Sequence, residues 1–375
     1  MLLKNAHLIS PGLTEENGFV QVDHGLITRL GSMSELAESN EGIDLEGNLL
    51  LPGFIDIHAH GADGCDVCDA SPESLQHIAE KKLAEGVTTW LPTTLTQPKD
   101  KLRKIVQTIA DWAPSAPLRV PGMHLEGPFI NRDQAGAQNP EFVRPSDPAE
   151  LRELHEIFPA SILSLAPELP GGLNLVREAR SLGIITSAAH TKASYDEIME
   201  AMGFGLSHLT HYGNAMTGLH HREIGAVGAG LIEDGLKIEL IADGVHLAPE
   251  MLQLVFKKIK TNRLMLITDS VAASWKKDGE MELGGLEVVI EDSIARLKSN
   301  GALAGSTLQF PIGLRHIHEF TRIPIHELVE TTSLNQAHTL GLADRGKLEP
   351  GFLADFVVLD EYFEVQDTYL GGVKV

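Results

Sequence analysis

The chain has only two cysteines in 375 residues, too few for the disulfide framework that braces small secreted domains. No apolar run approaches the ~18 residues that a membrane-spanning helix needs, because Lys, Glu, Asp or Gly interrupts every hydrophobic segment. The opening MLLKNAHLIS lacks a basic stretch followed by a long apolar run and a cleavage site, so a reducing cytoplasm is the expected compartment. Basic charge is scarce too. With 30 Lys and Arg against 52 Asp and Glu, the formal net charge of -22 repels nucleic acid and anionic membrane surfaces at long range. Neither partner is expected, and any anionic ligand must be met by cations placed locally. Fixed-period repeats and low-complexity tracts are missing, which excludes solenoids and fibrous folds. What the chain does have is 43% apolar residues, ample for a substantial core.

The two ends differ in texture from the middle. Residues 1–51 carry short strand-like runs, Leu2 to Ile9, Phe19 to Val22 and Leu26 to Leu30, with a tight turn at Asp23-His24-Gly25. The tail repeats this with Ala354 to Leu359 and Gly371 to Val375, punctuated at Pro350-Gly351 and Gly371-Gly372. Residues 1–51 and 347–375 are therefore expected to form one small β-sandwich domain. Between them, residues 52–346 alternate strand and helix. Strands are predicted at Gly53 to His58, Val87 to Leu91, Val120 to Leu125, Ile162 to Leu165, Ile184 to Ala188, Leu206 to Leu209, Leu236 to Ile241 and Leu264 to Thr268. Ser71-Pro72-Glu73 opens a helix whose Leu75, Ile78, Ala79 and Leu83 share one face, and Gly86 ends it. Eight such units predict an α/β fold, a (β/α)8 TIM-like barrel, with chemistry at the strand C-termini.

The sharpest local signal closes the first of these strands. In Asp56-Ile57-His58-Ala59-His60 the two histidines are two residues apart, and in extended chain they point to the same face. Further potential ligands fall at other strand ends: Glu126 in MHLEGPF, His190 in SAAH, His211 in SHLTHYGNAM and Asp269 in LITDS. Four imidazoles and two carboxylates at one rim suit one or two divalent ions of the Zn, Fe, Mn or Co type, with Glu126 able to bridge a pair. Asp269 also suits a helix cap, since Thr-Asp-Ser after a strand is good N-cap chemistry. Cys65 and Cys68 form one Cys-x-x-Cys without the second pair of a closed zinc site, and read as a plain loop pair. The segment around Lys276 and Lys277 reads as a mobile, solvated loop after the last strand, able to close over a ligand.

The blocks PGFIDIHAHG, HLEGPFI, HLTHYGNAM, REIGAVGAG, IADGVHL, LITDS and LAGS, in that order, with PGFLADFVVLD near the end, resemble the amidohydrolase superfamily and within it the N-acetylglucosamine-6-phosphate deacetylase family. The resemblance spans effectively the whole chain. It implies hydrolysis of the N-acetyl group of a phosphorylated amino sugar. It further implies that Glu126, His190 and His211 hold a first metal with Asp269 close to it, that His58 and His60 complete a second site, and that Glu126 bridges the two.

A metal-activated water would supply the nucleophile, and Asp269 is the expected general base and then acid toward the leaving amine. Where the family often has a histidine that polarises the carbonyl oxygen, this chain has Gln138, which donates a hydrogen bond but carries no charge. By the same resemblance Arg222, His246, Asn214 and Ala215 meet the sugar phosphate, with Arg222 able to come from the neighbouring subunit of a homodimer. The competing readings are a relative acting on N-acetylgalactosamine 6-phosphate, a cyclic amidase, and a non-catalytic metal-binding scaffold. A cyclic amidase would typically carry a carboxylated lysine where Glu126 stands, and a scaffold has no need of Asp269 beside an open metal position.

Overall fold

A computed structural model describes residues 1–36 and 41–375. Eight parallel strands follow one another around a barrel in chain order: Phe54–Ala59, Val87–Thr94, Met123–Glu126, Ala160–Leu165, Ile185–Ala188, His208–Leu209, Lys237–Ile241 and Leu264–Ile267. The first and eighth close the ring where Asp269 N donates to His58 O (2.8 Å) and His60 N to Ser270 O (2.8 Å). Each connection carries a helix, beginning with Pro72–Ala84, and Phe310–Thr321 follows the eighth strand. The first helix forms as its sequence dictates. Ser71 Oγ accepts from Ser74 N, Pro72 sits where its missing N–H costs nothing, and the chain leaves through Gly86. Gly86 adopts φ +81°, and a Cβ there would lie 2.4 Å from Val357 Cγ2, so only glycine lets the second strand start against the terminal sheet.

Successive strand residues feed two apolar clusters, as a period of two requires. Ile55, Ile57, Leu91, Ile162, Ile241, Met265 and Ile267 join one, while Phe54, Trp90, Leu125, Leu163, Leu240 and Leu266 pack with helix residues such as Leu75, Ile78 and Leu102 in the other.

Both chain ends enter a second sheet. Leu49–Pro52 pairs in parallel with Leu2–Ser10 on one side and antiparallel with Phe356–Leu359 on the other, so the tail returns beside the strand that leads into the barrel. Leu13–Asp23 and Leu26–Ser32 extend this sheet on the N-terminal side, and it surrounds its own apolar cluster of Leu3, Leu8, Val20, Ile27, Leu50, Phe356 and Val358.

Two segments differ from the sequence expectation. The C-terminal run Gly371 to Val375 is only the two-residue strand Val373–Lys374, and the longer strand is Val365–Leu370, whose Gln, Asp and Thr mask its alternation. Beyond Lys276 and Lys277 the chain forms a three-stranded antiparallel sheet, Gly279–Leu283, Leu286–Glu291 and Ile294–Leu297. Its tight reversals fall at Gly284-Gly285 and at Asp292-Ser293, where all four residues have positive φ, as two-residue hairpin turns require.

Candidate metal centre and active site

The six predicted ligands do converge. Glu126 ends the third strand, and the residues at the other strand ends turn sharply inward, His190 with φ +44°, His211 with φ +30° and Asp269 with φ +49°. A left-handed backbone at non-glycine residues costs about 1–3 kcal/mol each, and such strain gathers where a side chain must be aimed at a functional point. All six are at most 7% exposed.

The donor atoms form two groups joined by Glu126. In one, Glu126 Oε1 lies 3.1 Å from His190 Nε2 and 3.0 Å from His211 Nε2, and the two nitrogens are 3.2 Å apart. In the other, Glu126 Oε2 is 3.2 Å from His60 Nε2, and His58 Nε2 is 3.3 Å from His60 Nε2. Bonds of about 2.0–2.1 Å around a tetrahedral ion set its donors ~3.3 Å apart, so these spacings are those of ligand edges. The donor set fits one or two divalent metal ions.

Ring orientation agrees. His60 Nδ1 donates to Thr93 O (3.1 Å) and His190 Nδ1 to Gln134 O (2.7 Å); a carbonyl only accepts, so the proton sits on Nδ1 and the Nε2 lone pair faces the centre. His58 Nδ1 is paired with Glu239 Oε2 at 2.9 Å. A third nearby group, His58, His124 and Glu239, is a supporting layer, because both His124 nitrogens are spent on Ile57 O and Ser164 Oγ.

Asp269 closes the centre from the end of the eighth strand. Its Oδ1 is 3.3 Å from His60 Nε2 and 3.5 Å from His58 Nε2, so it faces the second histidine pair, because the eighth strand closes the barrel against the first. Burial alone would raise the Asp269 pKa, but the His58 and His60 imidazoles hold it down at about 2. Burial would likewise disfavour a charged His60, yet hydrogen bonds to Asp269 and Glu126 raise its pKa to about 9, so Nε2 favours a cation, either a proton or a metal ion in its place. The centre attracts positive charge strongly.

A cavity of about 310 Å³ opens over these ligands, within the usual range for small-molecule sites. Gln138, Asn214, Ala215 and His246 line it together with His60, Glu126, His190, His211 and Asp269. Gln138 is anchored at both ends of its amide: Oε1 accepts from Thr96 N (2.6 Å) and Nε2 donates to Glu126 Oε2 (2.5 Å). His246 Nδ1 is 2.6 Å from Asp243 Oδ2; burial opposes the imidazolium, but Asp243 outweighs it and raises the pKa. Arg222 is not brought in. It stands on an exposed loop beside His221, outside the cavity lining.

Sequence reading missed Glu239, although a carboxylate inside the buried run KIELI was a signal, and it missed Leu283, by which the hairpin sheet walls the cavity. The two cysteines are free. Cys68 Sγ accepts from Leu95 N, and burial raises its pKa well above the ordinary thiol range, as befits an inert loop residue.

The model of the amidohydrolase family matches residues 49–375. The chain belongs to the amidohydrolase family. The N-acetylglucosamine-6-phosphate deacetylase of Bacillus subtilis (strain 168) is 36% identical, with 99% of this chain and 96% of that protein aligned. The N-acetylgalactosamine-6-phosphate deacetylase of Escherichia coli O157:H7 is 37% identical over 87% of this chain and 88% of that one. Among solved structures, a mutant N-acetyl-D-glucosamine-6-phosphate deacetylase from Mycobacterium smegmatis in complex with N-acetyl-D-glucosamine-6-phosphate superposes with a TM-score of 0.95 at 27% identity, covering 100% of this chain and 98% of that one. Among the described residues of this amidohydrolase, no helix is long and apolar enough to cross a membrane.

Proposed function

We propose that the chain hydrolyses N-acetyl-D-glucosamine 6-phosphate to D-glucosamine 6-phosphate and acetate. The observation that carries this reading is the pair of donor groups sharing Glu126 beneath a cavity that Asp269 and Gln138 also line. The relatives' names supply the substrate. Glu126, His190 and His211 would hold one ion and His58, His60 and Glu126 a second, of the Zn, Fe, Mn or Co class. Such an ion supplies a Lewis acid for the amide oxygen and brings the pKa of water toward neutrality. Asp269, kept ionised, takes the proton of the attacking water and returns it to the amine nitrogen as the carbon–nitrogen bond breaks. Gln138, its carbonyl end tied to Thr96 N, directs its amide N–H groups at the centre and offers the substrate a neutral donor where an imidazolium would offer charge.

Recognition of the phosphate is assigned to His246, whose pairing with Asp243 favours its cationic form, with Asn214 and Ala215 beside it. Arg222 would complete the phosphate site from the neighbouring subunit of a homodimer, which accounts for its place outside the cavity of its own chain. Catalysis belongs to residues 52–346, with residues 1–51 and 347–375 as a structural companion domain, in a cytoplasmic enzyme. The 4-epimer, N-acetylgalactosamine 6-phosphate, is the alternative substrate favoured by the Escherichia coli relative.

Amine release from both epimers and from unphosphorylated N-acetylglucosamine, with metal content measured on the same sample, tests the reading. Turnover that requires phosphate and metal and prefers the gluco epimer is expected. No release from any of the three by metal-replete protein would sink it, and preference for the galacto epimer would select the alternative.

A further inference from the structure

Three of the four ligand histidines spend Nδ1 on an acceptor, but His211 does not: its Nδ1 is buried and has no hydrogen-bond partner. Glu239 touches His211 through the backbone. On the strand Lys237–Ile241 and wholly buried, Glu239 accepts at Oε2 from His58 Nδ1 (2.9 Å) and from the His211 backbone N–H (3.4 Å). Its second oxygen, Oε1, is also buried without a partner, and among the described residues His58 is its only ion-pair partner. A buried ring N–H and a buried carboxylate oxygen, each unsatisfied and each costly when left so, sit on residues already joined through one amide. Both groups are satisfied if they meet, directly or through one bridging water.

We propose that Glu239 is a shared positioning residue, one carboxylate orienting a histidine from each donor group: His58 of the second metal site and His211 of the first. This inference rests on the metal-centre reading above. By holding the proton on Nδ1 of both rings, Glu239 turns both Nε2 lone pairs to the centre, so the two ions depend on one side chain that touches neither.

The test is a chelator-competition titration of zinc, with metal content by mass spectrometry, on the full chain and its Glu239→Gln variant. Glu239→Gln keeps the shape and one acceptor oxygen while losing the charge and one acceptor. Both ions should weaken about 10–100-fold, the usual consequence of losing such a partner. Wild-type affinity for both ions in the variant, or weakening confined to one, would overturn the shared role. A merely structural carboxylate would shift the thermal midpoint of the metal-free chain without altering zinc affinity. If Glu239→Gln does not fold, histidine-selective nitrogen NMR of the wild-type zinc protein decides. Four protected Nδ1–H protons are expected, those of His58, His60, His190 and His211, and a freely exchanging His211 proton would refute the idea. Wild-type protein that binds no zinc defeats the metal-centre reading, and this inference with it; wild-type protein that holds a single zinc ion defeats the shared role alone.

Discussion

The proposed role of Asp269 as general base makes a prediction for a single substitution. Asparagine in its place preserves the volume and one oxygen near His58 and His60 but cannot accept the water proton. The D269N variant should retain most of the metal held by Glu126, His190 and His211 and lose about 10²–10⁴-fold in kcat, the range for removing a general base. Amine release and metal analysis on one preparation check this; wild-type kcat in D269N would exclude the role. His208, the first residue of HLTHYGNAM and of the strand His208–Leu209, makes a different prediction. Burial and nearby Lys237 disfavour its imidazolium and lower its pKa to about 3. Between an unfolded value near 6.5 and that folded value, the unfolded chain binds a proton that the folded chain does not, so stability is lost as pH falls through this window. Each unit is worth about 1.4 kcal/mol. Urea midpoints measured from pH 7 to pH 4 should fall less steeply in H208Q than in the wild type.

The first barrel strand and the helix that follows it are locked together by charge. Lys82 Nζ, fully buried on the helix, lies 3.2 Å from Asp56 Oδ2, 3.1 Å from Glu85 Oε2 and 3.1 Å from Thr268 Oγ1. Asp56 opens the segment that ends in His60, and Thr268 precedes Asp269, so one cation ties together the roots of the strand that carries His58 and of the loop that carries Asp269. Glu85 also accepts from Trp275 Nε1 and from Phe310 N at the start of the last barrel helix. Lys82→Met leaves two buried carboxylates uncompensated and should cost about 3–5 kcal/mol in denaturant titration. A loss under 1 kcal/mol would show that water enters this network. None of it was legible from helix periodicity, because a lysine on an otherwise amphipathic helix reads as solvated until its distant partners are known.

Across the whole molecule the terminal sheet depends on both chain ends. Phe356, Val357, Val358 and Leu359 are buried, and Asp355 receives a two-pronged bond from Arg119, Nε to Oδ2 at 2.6 Å and Nη2 to Oδ1 at 2.9 Å. A chain ending at Gly346 would strip the strand Leu49–Pro52 of its antiparallel partner Phe356–Leu359 and expose the cluster around Leu3, Leu50 and Val20. It should lose near-ultraviolet circular dichroism and bind ANS; a native near-ultraviolet spectrum would show that residues 1–346 suffice. Removing metal acts on the same scale. An ion bound only by the folded state stabilises it by about 2.7 kcal/mol when its free concentration is a hundredfold above Kd. Chelation should therefore lower the thermal midpoint by several degrees, and re-addition of zinc should restore it.

The sequence by itself determined the barrel, the pairing of the two β-rich ends and the convergence of His58, His60, Glu126, His190, His211 and Asp269 at one rim, because strand period, turn residues and His-x-His spacing are local signals written in neighbouring residues. It placed the third strand at Val120 to Leu125, where the strand is Met123–Glu126, and it passed over the hairpin sheet Gly279–Leu297 behind a loop of charged residues. Tertiary structure alone decided what lies between distant residues. It set Glu239 against His58, Asp269 against the second histidine pair and Lys82 beneath Asp56, contacts between residues far apart along the chain that the fold brings within reach. Hydrogen-bond partnership and burial depend on that closure, and no window along the chain contains it.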